Sequence, residues 1–122
     1  MSAQTEFSIV FKKLKSILEP YSSKLILKTD TSEGFSLDGA YSEKRKKELF
    51  FGAVQIKKNY VSFYLMPVYM YPDLLKNISP ELKKHMQGKS CFNFKKIETP
   101  LFDELAQLTK QAFKRYMQEE YS

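Results

Sequence analysis

Apolar residues recur every three or four positions near the start of the chain: Phe7, Val10, Phe11, Leu14, Ile17 and Leu18. That spacing puts them on one helix face, away from Lys12, Lys13, Lys15 and Ser16, and predicts core packing for the stripe. Thr5 is the expected N-cap and Pro20 the expected stop. Residues 24–30, KLILKTD, read as a strand with a polar turn around Thr31 to Gly34. A weaker strand spans Phe35 to Tyr41, and the charged segment Tyr41 to Lys47 reads as a loop. ELFFGAVQIKK and NYVSFYLM then predict a β-hairpin turning at Lys57–Asn59. Ser79-Pro80-Glu81 opens a short helix that Gly88 is expected to close. GKSCFNFK reads as a further strand. Thr99-Pro100 opens a long last helix whose apolar positions include Leu101, Leu105, Leu108, Ala112 and Tyr116. The order predicts an α+β fold: an antiparallel β-sheet with two long helices packed on one face.

Alternation along the strands divides the sheet into two faces. Phe50, Val54, Ile56, Val61, Phe63, Leu65, Phe92 and Phe94 are expected to face the helices. The opposite parity carries Phe51, Ala53, Gln55 and Lys57, then Ser62, Tyr64 and Met66, then Cys91, Asn93 and Lys95. Polar outer faces are normal in such sheets. The aromatic and sulfur groups among these residues instead suggest cover by a loop, a homodimer partner or a small ligand.

Composition narrows the chemistry. The chain has 122 residues, enough for one domain over 1–122, and a single Cys, which excludes a disulfide framework. The stretch MSAQTEFSIVFKKLK lacks the pattern of a secretory leader. The most apolar segment, Tyr60 to Pro72, is broken by Ser62 and Pro67 and is too short to cross a bilayer. The expectation is a soluble cytoplasmic protein with no membrane partner.

No residue set announces a reaction. Cys91 and the lone His85 lack an orienting carboxylate, so the bland reading is a strand residue and a helix-end cation. One His and one Cys cannot alone form a tetrahedral zinc site. The closest carboxylates for an oxygen-ligated metal are Asp103–Glu104 and Glu119–Glu120. The four glycines are scattered and form no phosphate-cradling loop. The net charge of +6 with 15% aromatics keeps nonspecific nucleic-acid binding as an alternative. Against it, 18 of the 20 basic residues are Lys, which are ill suited to bidentate base reading. The basic run Lys44-Arg45-Lys46-Lys47 is also flanked by Glu43 and Glu48. The excess charge lies in residues 49–97, with eight Lys against Asp73 and Glu81.

The runs ELFFGAVQIKKNYVSFYLMPVY, SPELKKHMQGKSCFNFK and LFDELAQLTKQAFKRY resemble the YdhG-like domain-of-unknown-function family, from about Leu49 to Tyr116. The resemblance implies a frataxin-like fold, two helices against an antiparallel sheet. One branch of the family is regarded as iron chaperones for iron–sulfur and haem assembly, which implies Fe²⁺ as cargo, with Asp103 and Glu104 as its candidate ligands here. Frataxin-like iron binding depends on acidic residues on and near the first helix. Here that helix carries Lys12, Lys13 and Lys15 with only Glu6 and Glu19, so Fe²⁺ meets repulsion. The leading expectation is therefore a non-enzymatic binding or interaction module with no cofactor. Its partner would be a small anionic ligand or a protein, bound at Lys57, Tyr64, Met66, Tyr69, Lys89, Cys91 and Asn93. Lys57 and Lys89 would attract the anion, and Tyr64, Tyr69 and Met66 would supply apolar contact.

Overall fold

The computed structural model describes residues 3–121, with side chains from residue 6 onward. Helix α1 (Ala3–Leu18) runs into a 3₁₀ turn at Glu19–Tyr21. Strands β1 (Ile26–Asp30), β2 (Gly34–Ser42), β3 (Lys47–Ile56) and β4 (Val61–Leu65) follow as successive hairpins. A short helix α2 (Met66–Met70), a 3₁₀ turn at Pro72–Leu75 and the one-turn helix α3 (Pro80–Lys83) lead to β5 (Met86–Gln87) and β6 (Cys91–Phe94). Helix α4 (Thr99–Glu120) ends the described chain. The six strands form one antiparallel sheet in the order β1-β2-β3-β4-β6-β5. The protein is α+β, and both long helices cover the same sheet face.

The core forms where the expected stripes meet. Val10, Phe11, Leu14 and Leu18 of α1 are buried against Val54, Phe63, Leu65 and Phe92 of the sheet, joined by Leu105, Ala112 and Tyr116 of α4. Phe94 meets Phe102 edge-on with ring centroids 4.9 Å apart, tying β6 to α4. Each such buried side chain contributes roughly 1.5–3 kcal/mol of hydrophobic stabilisation.

Along β3 the expected alternation fails at one place, and a β-bulge explains it. Leu37 of β2 pairs with Gly52, whereas the next residue, Asp38, pairs with Phe50, so β3 carries one extra residue at Phe51. An extra residue shifts every side chain before it to the opposite face. Leu49 and Phe51 therefore join the core, and Phe51 packs against Phe113 and Tyr116 at centroid distances of 5.7 and 5.2 Å. Phe50 takes the outward parity. The expected faces of Phe50 and Phe51 are thus exchanged, while Val54 and Ile56 keep theirs.

Three expected helix boundaries also move. Helix α1 starts at Ala3, so Thr5 lies inside its first turn. Glu98, not Thr99, is the N-cap of α4, with Pro100 in its first turn and no side-chain cap. Gly88 closes no helix: α3 ends at Lys83, and Gly88, at φ +78°, turns the chain from β5 into β6. Ser79 caps α3 as expected, its Oγ accepting from the Leu82 N–H at 3.1 Å.

The end of α4 is fastened by a buried carboxylate. The side chain of Glu120 is fully buried and accepts from Arg45 Nε at 2.9 Å and Nη2 at 3.2 Å, and from the Tyr71 hydroxyl. The Arg45 hydrogen bonds hold the Glu120 carboxyl below the usual carboxylate range, while burial and Glu120 push the Tyr71 phenol up. Tyr116 donates to the Leu49 carbonyl at 2.9 Å and Tyr121 to the Ala40 carbonyl at 2.7 Å. This fit needs Gly39, where an added Cβ would lie 2.3 Å from both tyrosine hydroxyls.

Candidate functional site

Two prolines shape the segment after β4. Pro67 stands in the first turn of α2, and the Tyr71 N–H returns to the Pro67 carbonyl at 2.7 Å. Pro72 then opens the 3₁₀ turn, since its fixed φ suits a first helical position that needs no N–H donor. The segment is strapped to α4 by Asp73, which accepts from Arg115 at 2.9 and 3.4 Å. The same guanidinium lies 4.8 Å from the Tyr71 ring centroid, a cation–π contact. A second strap fixes α3. Both Glu104 carboxylate oxygens accept from Ser79, from its N–H and its Oγ, each at 2.6 Å.

Held in this way, the segment, α3 and the β5–β6 turn enclose an open groove of about 500 Å³. Val68, Pro72, Leu75 and Met86 supply its apolar lining, and Tyr69, 54% exposed, stands beside them. Lys83 and Lys89 also line it, and among the described residues no acidic one does. Lys89 Nζ sits 5.9 Å from the Tyr69 ring centroid.

The residues expected to form one site do not share a single groove, although Lys57 and Tyr64 both lie near enough to Cys91 to act on its thiol. Tyr69 and Lys89 share this groove. Lys57 lines another, of about 490 Å³, with Phe7, Glu33 and Lys58. Tyr64, Cys91 and Asn93 lie on the outer sheet face, Tyr64 in register between Ala53 and Cys91, and Asn93 beside Ser62. Met66 begins α2 and is half-buried. The outer face closes on itself through Asn93. Its Oδ1 accepts from Ser62 Oγ at 2.7 Å and Cys91 Sγ at 3.3 Å, and its Nδ2 donates to Gln87 Oε1 at 2.6 Å. Burial pushes the Cys91 thiol above its ordinary value, opposite to what an activated nucleophile needs. His85 gives it no base. Its Nδ1 lies 2.8 Å from the Asn93 carbonyl, its Nε2 3.0 Å from Glu98, and its ring stacks on Phe94.

The carboxylates proposed for iron are also separated. Glu104 is consumed by Ser79, whereas Asp103 is exposed and lines a groove with Lys13 and Ser16. Among the described residues no group of three or more His, Cys, Asp or Glu is placed to hold a metal ion. No described helix is long and apolar enough to cross a membrane. Comparisons with protein-family models, curated proteins and solved structures found no match to this chain.

Sequence reasoning missed Val68, Pro72, Leu75, Lys83 and Met86. The signal lay in MPVYMYPDLL, where closely spaced prolines forbid a continued strand and force the apolar side chains into short turns.

Proposed function

We propose that this protein is a non-catalytic binding module for an amphipathic anion. The apolar body of the ligand lies along Val68, Leu75 and Met86 against Tyr69, and its carboxylate, sulfonate or phosphate meets Lys83 and Lys89. The observation that carries this reading is the groove itself, apolar in lining, bordered by two lysines and free of lining carboxylates. Few convergent polar groups over an apolar floor are what orients a small ligand. An uncharged isostere lacks the attraction to the lysines, and an inorganic anion lacks the apolar contact. A cytoplasmic setting belongs to the same reading and is supported by the free thiol of Cys91.

Kinship with the YdhG-like, frataxin-like proteins is proposed on the same footing, supported by the antiparallel sheet with two long helices on one face. The iron-carrying activity of that resemblance is not adopted, because Glu104 is already bonded twice and α1 presents lysines.

Titration of the ¹⁵N-labelled protein with aryl and medium-chain alkyl carboxylates tests the groove. Shift changes are expected at Val68–Leu75 and Met86–Lys89, with at least tenfold weaker binding in Lys89→Glu and for the matching carboxamides. Changes centred on Cys91 and Asn93, or none at all, would overturn the reading.

A further inference from the structure

The most basic run of the sequence is not its most available positive surface. In the β2–β3 turn, Arg45 is held by buried Glu120, Lys46 lies 3.8 Å from Glu43, and Lys44 donates to the Glu119 carbonyl at 3.4 Å. At the other end of β3 the situation reverses. Lys57 and Lys58 lie in the β3–β4 turn, and Lys95 and Lys96 follow β6. All four are exposed, and none makes a side-chain ion pair or hydrogen bond among the described residues.

Sheet topology brings these pairs together across 37 positions of sequence. Ile56 pairs with Val61, and Val61 with Phe94, so the end of β3, the start of β4 and the end of β6 lie side by side. Two strand spacings, about 10 Å, separate the chain at Lys57 from the chain at Lys95. Between them Tyr60, half-buried, lines a groove of about 410 Å³ with His85, Asn93, Lys95, Lys96 and the carboxylate of Glu98. The carboxylates nearby are Glu33 in the Lys57–Lys58 groove, Glu6 in a groove with Lys96, and Glu98, which faces His85.

We infer that this end of the sheet binds single-stranded nucleic acid, its backbone crossing from Lys57–Lys58 to Lys95–Lys96 with a base stacked on Tyr60. Lysines suit this task because they neutralise phosphates without reading base edges. An aromatic ring beside a basic track accepts any base. The charge is laid out as two pairs with Glu6 and Glu33 beside them and Glu98 turned to His85. A linear phosphate chain passes between such carboxylates, whereas a flat anionic bilayer must meet them all. The site lies at the opposite end of β6 from the Lys89 groove and does not depend on that groove.

Fluorescence anisotropy with labelled dT₂₀ tests the inference, using duplex DNA and phosphatidylserine vesicles as competitors. Four phosphate contacts give a log–log salt slope of about −2.8, or about 50-fold weaker binding between 50 and 200 mM salt. Lys95→Ala with Lys96→Ala is expected to halve that slope, while Lys44→Ala with Lys46→Ala leaves it unchanged. Tyr60→Leu is expected to weaken binding at least fivefold at every salt concentration without altering the slope, as lost stacking does. Equal slope losses in the two lysine variants, stronger competition by vesicles than by dT₂₀, or no binding at 50 mM salt would overturn it.

Discussion

The two turns that bound β3 make an instructive pair. Each is short and rich in lysine, yet Lys44-Arg45-Lys46 and Lys57-Lys58 end in opposite electrostatic situations. At the first turn a buried carboxylate from the far end of the chain, Glu120, draws Arg45 in, and Lys44 and Lys46 settle on nearby oxygens. At the second turn Glu33 shares a groove with the lysines, but no described acid forms an ion pair with either. The first turn uses its Arg45 charge to hold the fold, and the second presents its charge to solvent. Local sequence cannot distinguish them, because the deciding residue lies 75 positions away.

Substitutions should separate the two turns by their effect on stability. Arg45→Ala is expected to cost about 3 kcal/mol in denaturant unfolding, since it leaves the fully buried Glu120 carboxylate with the Tyr71 hydroxyl and only the charge of Lys44, which makes no bond to it. Gly39→Ala at the same end should cost about 2 kcal/mol, because its Cβ displaces the hydroxyls of Tyr116 and Tyr121. A loss under about 0.5 kcal/mol in either variant would mean that this end is not fastened as described.

Glu120→Gln should cost about 1–2 kcal/mol at neutral pH, because shape and the Tyr71 contact survive while the charge is lost. It should also flatten the acid limb of the stability profile. Glu120 has a lowered carboxyl pKa in the fold, so the unfolded chain takes up its proton first as pH falls. Its contribution is complete above the ordinary value of 4.5 and disappears as pH drops through the folded value. Wild type should therefore lose stability more steeply than Glu120→Gln below about pH 4.5. The smallest effect belongs to the other turn. Lys57→Ala with Lys58→Ala should change unfolding by no more than about 0.5 kcal/mol, and a larger loss would show that its charges also serve the fold.

Much of the fold was legible because it rests on period. The stripe of α1, the apolar face of α4 and the strands around Val54 and Phe63 follow from spacing alone. The misreadings occur where one local event breaks the period, as at Phe51, or where a residue favoured for one purpose serves another. Gly88 is such a residue: it suits a helix end and a strand turn equally well, and only the early end of α3 decides between them. The candidate site was legible in part. Tyr69 and Lys89 are aromatic and basic residues near a strand end, and the structure places them in one groove. Tyr64, Cys91 and Asn93 share their strand neighbourhood but turn onto the outer face, where Asn93 is committed to Ser62, Cys91 and Gln87. Parity assigns a residue to a face; it does not say whether that face is concave.

The bulge at Phe51 also works as a phase lock. Before it, β3 sends odd-numbered residues, Leu49 and Phe51, toward the helices; beyond it, the even-numbered Val54 goes there. A one-residue slide of β3 along β2 turns both halves outward, and a pairing without the extra residue can bury only one of them. Burial on both sides of Phe51 therefore requires the extra residue in the strand between the two basic turns.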